Sequence, residues 1–280
     1  MPSAAFPVLQ LIIAALMWSV IGVFVKGLPL HPLGIAGIAS MIAVVVQALY
    51  LRIFARRKLS FNWSKAQIFG AVAYALNISC FITANYMTTT ANAVLLQCTA
   101  PVFLALFGGR YLGEYLKLRD YLLGAIVLFG TSLFFMDRLD GGRLIGNICG
   151  IICGFALAWY TICLRLQKNE SPHETVLLGN ILIAIVGAFF IDNSVSDLHV
   201  GARLLLLGSF GLSIPFILYC EAIKQVRAID AVLITTLEPI LSPVWVFLVH
   251  KEVPSVLAIT GGMIVLGSVT VWGYLIARNN

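Results

Sequence analysis

The sequence predicts an all-α polytopic membrane protein, with ten transmembrane helices arranged as two inverted five-helix repeats. Three observations lead there. Hydrophobic residues make up 60% of the 280 positions and charged residues only 11%, where a soluble domain carries roughly 25% charged residues; mean hydropathy is +0.98. The few charges are spaced so that long apolar stretches lie between them. A segment beginning at Asn92 also recurs 138 residues later, at Asp230.

The helices follow from the charge spacing. No Asp, Glu, Lys or Arg occurs in Met1–Val25, Gly27–Leu51, Ala66–Gly109 or Val253–Ala277. A bilayer core takes about 20 apolar residues at 1.5 Å rise per residue. The 44 residues from Ala66 to Gly109 are therefore two crossings, with the turn at Met87–Asn92, where the apolar run breaks. Continued along the chain, the pattern places spans at 5–25, 32–51, 66–86, 92–110, 120–136, 144–164, 175–191, 203–220, 230–248 and 256–276. The fifth, seventh and eighth are short, and if one is re-entrant the count falls to nine. The N-terminus lacks a basic leader, so the first helix is expected to stay and span. The connections are too short for an extramembrane domain.

The net charge of +6 is a matter of topology and not of nucleic acid. With the N-terminus in the cytoplasm, the even-numbered loops and the termini carry 13 of the 18 basic residues, among them Arg52, Arg56, Arg57, Lys58, Arg165 and Arg227. Lys26, Arg138, Arg143, Arg203 and Lys251 fall on the other side. This is the positive-inside bias, and it predicts both termini in the cytoplasm. The six cysteines all fall within spans and read as small apolar residues. Cys149 and Cys153, four apart, have no second ligand pair, so no metal is expected.

The repeat divides the chain into units 1–138 and 139–280. Asn92-Ala-Val-Leu-Leu-Gln-Cys-Thr-Ala-Pro101 matches Asp230-Ala-Val-Leu-Ile-Thr-Thr-Leu-Glu-Pro239, and the same offset carries Glu114 onto Glu252 and Gly124 onto Gly262. A looser match, offset by 141, pairs Trp18 with Trp159. A Pro, a Glu and a Gly held at one spacing mark a repeat better than an Ala-Val-Leu string does. Five spans per unit is an odd number, so the second unit must run upside down relative to the first. Inverted repeats around a midplane site are a transporter architecture; duplication kept for folding alone is the plainer alternative.

The pattern of each unit resembles the drug/metabolite transporter superfamily, EamA type: a small residue and an apolar run from Ala93 to Pro101, Leu112-Gly113-Glu114, then Gly124 and Gly130. It appears again as Ala231 to Pro239, Glu252, Gly261-Gly262 and Gly267, with His250-Lys251 where Leu-Gly is usual. Within the superfamily the chain is most similar to the YddG-type exporters of aromatic and other neutral amino acids, a resemblance that implies a bacterial inner membrane. The resemblance implies a central cavity lined by helices one, three, four, six, eight and nine, with helices five and ten peripheral, and an exporter or exchanger without a nucleotide motif.

Glu238 is the only acidic residue well inside a predicted span. Thr235, Glu238, Ser242 and Trp245 share one face of the ninth helix. An ionisable group at that depth faces a cavity or a partner. Glu238 can bind a substrate ammonium, carry a proton, or hydrogen-bond a neighbouring helix. Pro101 and Pro239 lack the N–H that would pair with the carbonyls of Gln97 and Thr235. They are read as hinges or gates with free carbonyls, or as fixed kinks sealed by a neighbouring Thr or Ser. Tyr74, Asn77, Phe81 and Asn85 share a face of the third helix, which should point inward. Trp18 and Trp159 lie away from the headgroup levels and are read as cavity walls. Gly146, Gly150 and Gly154 form a packing stripe.

These residues favour a secondary transporter of small neutral or zwitterionic metabolites, amino acids foremost, working by alternating access. An exporter of amphiphilic drugs is the alternative the same chemistry allows. No Lys or Arg lies deep in a span, which disfavours phosphates and nucleotide sugars. With no Gly-x-x-x-x-Gly-Lys-Ser/Thr, no ATP hydrolysis, nucleotide or other cofactor is expected. A membrane enzyme acting on lipid-linked substrate would need paired carboxylates near one face. Glu114 and Asp120 lie there, but the repeat partner of Glu114 is expected on the opposite face. The expected partners are a small-molecule substrate and the lipid bilayer, and a monomer suffices.

Overall fold

The structure is a computed structural model. It describes residues 5–56, 58–88, 90–114, 117–135, 144–170, 172–191 and 197–250, together with 256, 257, 259–261, 263, 264, 267, 268 and 271. All regular structure among them is helical. Glu252, Asp120 as a side chain, and Gly262 lie outside the described residues, so their predicted places are not addressed.

Helix α1 (Ala5–Ser19) is followed by α2 (Ile21–Val25), which ends where Lys26 turns extended and Gly27 takes φ +73°, a conformation glycine adopts without a Cβ clash. His31 and Pro32 start α3 (Pro32–Leu49): the His31 Nδ1 accepts from the Leu33 N–H at 3.3 Å, and the proline sits in the first turn, where its missing N–H is harmless. A π-helical turn, Tyr50–Phe54, prolongs it. Ser64 caps α4 (Lys65–Met87) by accepting from the Gln67 N–H at 3.2 Å, while the Gln67 Oε1 accepts from the Trp63 N–H at 2.9 Å.

The predicted fourth span is two helices, α5 (Thr90–Gln97) and α6 (Ala100–Leu112). The predicted ninth is likewise two, α12 (Ala228–Thr235) and α13 (Leu237–His250). The bounds of α5 and α12 differ by 138 at both ends, so the sequence repeat reappears as a repeated helix break. Between them run α7 (Leu118–Phe135), α8 (Leu144–Leu166), α9 (Pro172–Ala188), α10 (Leu198–Leu206), a π-helical stretch Leu207–Ser213, and α11 (Ile214–Ala222). Every described residue from 256 to 271 is also helical.

Five helical stretches are long and apolar enough to cross a membrane: Phe6–Val25, Pro32–Phe54, Lys65–Met87, Leu144–Leu166 and Leu198–Ala222. Shorter apolar helices occur at Ala100–Leu112, Tyr121–Gly130 and Pro172–Ala188. The outside of the bundle is apolar: Met41, Val45 and Leu49 form an exposed stripe at i, i+4, i+8 on α3, and Phe69, Val72 and Leu76 form another at i, i+3, i+7 on α4. The inside holds polar side chains, including Ser40, Gln47, Asn77, Asn85, Thr161 and Asn180. A surface of this kind is solvated by hydrocarbon and not by water.

The two halves interlock. Helix α4 packs on α8, and α1 packs on α11; α5 packs on α8, and α12 packs on α1; α3 packs on α9. Exchanging the halves carries each of these pairings onto another or onto itself. The α3–α9 crossing brings backbone to backbone, for a Cβ added at Gly37 would lie 2.6 Å from the Gly187 Cα. Only small residues permit such an approach.

Candidate functional site: a central cavity between the halves

Six of the residues singled out in the sequence converge. Trp18, Asn77, Phe81, Gln97, Thr235 and Glu238 line one central cavity of about 350 Å³, its open mouth included. Ile21, Ile78, Leu157, Tyr160 and Phe216 complete its wall. Both halves contribute walls, through α1, α2, α4 and α5 from one and α8, α11, α12 and α13 from the other.

The polar side of the cavity is a directed string. Asn77 donates to the Cys153 carbonyl at 3.0 Å and to its Sγ at 3.1 Å. The Cys153 thiol donates to the Gln97 Oε1 at 3.1 Å, and the Gln97 Nε2 donates to the Glu238 Oε2 at 3.4 Å. The string joins α4, α8, α5 and α13 and ends on the carboxyl. Glu238 is 3% exposed. Its bond to Gln97 is long for an N–H···O contact, whose usual range is about 2.7–3.2 Å, so the carboxyl is only weakly satisfied by Gln97, its one hydrogen-bond partner among the described residues. Across the cavity wall, the Trp18 Nε1–H is buried and finds no protein acceptor among the described residues. The site thus offers an under-satisfied acceptor, an unused donor and a ring of aromatic carbon.

The remaining predicted residues sit elsewhere. The Tyr74 hydroxyl donates to the Asn180 Oδ1 at 3.2 Å, Asn180 donates to the Gln47 Oε1 at 3.2 Å, and Gln47 donates to the Leu212 carbonyl at 3.2 Å. Tyr74 therefore ties helices together and touches the site only through its ring, edge-on to Phe216 at 4.8 Å. Trp159 is not on the cavity. It packs half-buried against Phe107 and Tyr111 of α6, at 5.7 and 5.3 Å. The neighbouring Tyr160 faces in. Ser242 is buried in α13 but does not line the cavity.

Pro101 and Pro239 line an adjoining pocket of about 220 Å³ with Gln97, Cys98, Thr235 and Thr236. Each begins a new helix and does not bend a continuous one. The Gln97 carbonyl turns onto α8, where a Cβ at Gly154 would come within 3.0 Å of it. Threonine hydroxyls seal the breaks: Thr99 Oγ1 donates to the Leu96 carbonyl at 2.8 Å, and Thr236 Oγ1 to the Leu233 carbonyl at 2.6 Å. The Thr235 hydroxyl donates back to Ala231 and Val232, at 3.1 and 2.9 Å.

One end of the bundle is tied across the halves. Glu114, just past α6, accepts from the Arg165 Nε at 2.8 Å and from the Ala228 N–H, at the start of α12, at 2.9 Å. Arg165 Nη1 also donates to the carbonyls of Ile223 and Lys224, at 2.9 and 3.0 Å. His173, in the first turn of α9, lies 2.6 Å from Glu221, which Lys224 also contacts at 2.9 Å.

Fold and site together define a multi-pass helical membrane protein with a central cavity between two related halves. The chain belongs to the EamA-like transporter family, which matches residues 5–136 and again 144–274. Two relatives from Archaeoglobus fulgidus, each named only as an uncharacterized transporter, are 26% and 24% identical over 206 residues. They cover 68% and 72% of this chain, and 68% and 73% of their own lengths. An uncharacterized transporter of Clostridium kluyveri is 25% identical over 218 residues, 71% of this chain and 69% of its own. A solved structure superposes with a TM-score of 0.77 over 98% of both chains at 18% identity, a likeness of fold.

Proposed function

We propose that this transporter moves small neutral or zwitterionic molecules with an apolar body, amino acids foremost, and that it exports them by alternating access of the central cavity without ATP. The observation that carries the substrate class is the cavity itself. Glu238 and the Trp18 N–H are the right partners for an ammonium and a carboxylate, and Trp18, Phe81, Tyr160 and Phe216 offer apolar walls to a side chain. A carboxyl at mid-span is costly to bury, roughly 2.5–3.5 kcal/mol when charged, and a weak bond to Gln97 does not offset that; a bound ammonium would.

We take the chain to cross the bilayer ten times, as units 1–138 and 139–280 facing opposite ways, with both termini in the cytoplasm. The repeated helix break and the reciprocal packing support a two-fold relation between the units. The basic-residue bias supports the orientation. On this topology the Glu114–Arg165 tie closes the cytoplasmic end. Single cysteines beside Glu114 and Glu252, in a cysteine-free background, should react with an impermeant maleimide from opposite sides of sealed vesicles. Labelling of both from one side would end the inverted arrangement.

The function is tested by counterflow. Liposomes holding the purified protein and preloaded with L-phenylalanine should concentrate labelled L-phenylalanine transiently and saturably. Absence of exchange for every amino acid tried, with the protein folded, would overturn the substrate class. Exchange of amphiphilic cations in its place would move the protein to drug export.

A further inference from the structure

The segment between α3 and α4 holds five of the chain's 18 basic residues, Arg52, Arg56, Arg57, Lys58 and Lys65, and no acidic one. It joins two stretches long and apolar enough to cross a membrane, Pro32–Phe54 and Lys65–Met87, and so lies at the level of the headgroups. Orientation alone does not account for it. Other basic residues at helix ends are matched by acids: Arg165 by Glu114, Lys224 by Glu221 and Arg227 by Asp230, at 2.8, 2.9 and 2.7 Å. Arg52, Arg56, Lys58 and Lys65 are exposed, and none of them forms an ion pair among the described residues. Glu170, in the α8–α9 connection, touches the segment by accepting from Asn62. Aromatic rings lie among the charges, with Phe54 78% and Trp63 64% exposed. Phe54 stacks on Tyr50 at 6.3 Å, and Trp63 lies 5.7 Å from Phe61. The backbone is fixed. Arg56 and Trp63 have φ of +49° and +52°, a costly conformation for residues with a Cβ. The Trp63 N–H donates to the Gln67 Oε1 at 2.9 Å and the Ser64 N–H to the Asn62 Oδ1 at 3.0 Å.

We propose that this segment is a binding site for an anionic phospholipid, whose phosphate is held by Arg52, Arg56 and Lys58 while Phe54 and Trp63 pack at the boundary between headgroup and acyl chains. Each half of the chemistry excludes a different simpler ligand. A soluble anion would use the charges and leave two large rings in water. A zwitterionic lipid would use the rings, since tryptophan favours that depth, and leave unpaired cations crowded together. An anionic lipid uses both, and the planar guanidinium fork matches phosphate oxygens. Because Asn62 bonds Glu170, a residue of the second half, the site also borders on the junction of the two halves.

The test follows thermal unfolding of the purified full-length protein in dodecyl maltoside, titrated with phosphatidylglycerol, phosphatidylcholine or glycerol 3-phosphate. Phosphatidylglycerol should raise the Tm saturably, and the other two should not at the same concentrations. Replacing Arg52, Arg56 and Lys58 together by Gln should raise the half-saturating concentration on the order of 100-fold, since each basic residue near a headgroup is worth roughly fivefold. Arg52→Gln alone, at about fivefold, serves if the triple variant does not fold. Trp63→Ala should raise it about tenfold, for the lost burial of one large aromatic side chain. Replacing Arg110, Lys117 and Lys168 by Gln removes the same charge at other exposed positions and should leave it nearly unchanged. Equal weakening by the two triple variants would reduce the effect to overall charge and overturn the proposal. Equal stabilisation by glycerol 3-phosphate, or no effect of Trp63→Ala, would make this a site for soluble phosphate esters and remove the lipid. A flat phosphatidylglycerol titration of the wild type would leave no site at all.

Discussion

Replacing Glu238 by Gln is expected to lower L-phenylalanine transport about 10- to 100-fold while the protein stays folded, the range for losing a hydrogen bond to a charged partner. The change keeps the shape of the side chain and can keep its contact with Gln97, which reaches Glu238 at 3.4 Å. The folded state should therefore be little affected. The loss should fall on KM when a substrate ammonium is the partner. It should then nearly vanish for 3-phenylpropionate, which has the carboxylate and the ring but no amine. Equal losses for both compounds would instead give Glu238 a role in carrying protons or in holding the polar string that starts at Asn77. Unchanged kinetics with both compounds would remove it from the mechanism.

The second large effect is steric. On α8, a Cβ at Gly150 would meet the Leu96 Cβ at 2.6 Å. One at Gly154 would collide with the Thr99 Oγ1 and come within 3.0 and 3.1 Å of the carbonyls of Gln97 and Leu96. These neighbours belong to the break between α5 and α6, which α8 supports directly, and little there can yield. Gly150→Ala and Gly154→Ala are each expected to destabilise by about 1–3 kcal/mol, the usual range for overpacking. The leucine variants should yield no folded protein. Gly146→Ala, with Thr88 Cβ at 3.1 Å, should be milder, and Gly124→Ala, with open space around it, should be silent. Thermal unfolding in detergent followed by size exclusion would rank them; a flat series would mean that α8 and α5 do not pack as described.

The spacing of charges and the 138-residue offset were enough to anticipate an all-helical membrane protein whose two halves meet at a shared pocket. Hydropathy could not show the breaks at Cys98–Thr99 and Thr236, because the apolar run continues across them. Pro101 and Pro239 were the visible trace, and they open helices more readily than they bend them. Trp159 was read as a cavity wall from its depth in the span, but depth does not fix the face: one residue is about 100° around a helix, and Tyr160 takes the inward place. Phe216 carried no signal at all, being one apolar residue among many. His173 and Glu174 fall just before the predicted seventh span, yet Pro172 starts α9 earlier and buries both.

Glu114 belongs to one half of the molecule and both of its donors to the other. A carboxylate held by a guanidinium and by the first free N–H of a helix is satisfied in one place only. A small separation of the halves at that end would strain both bonds before water could enter to replace either. Partial separation therefore gains nothing, and the contact is a catch whose two bonds hold or release together.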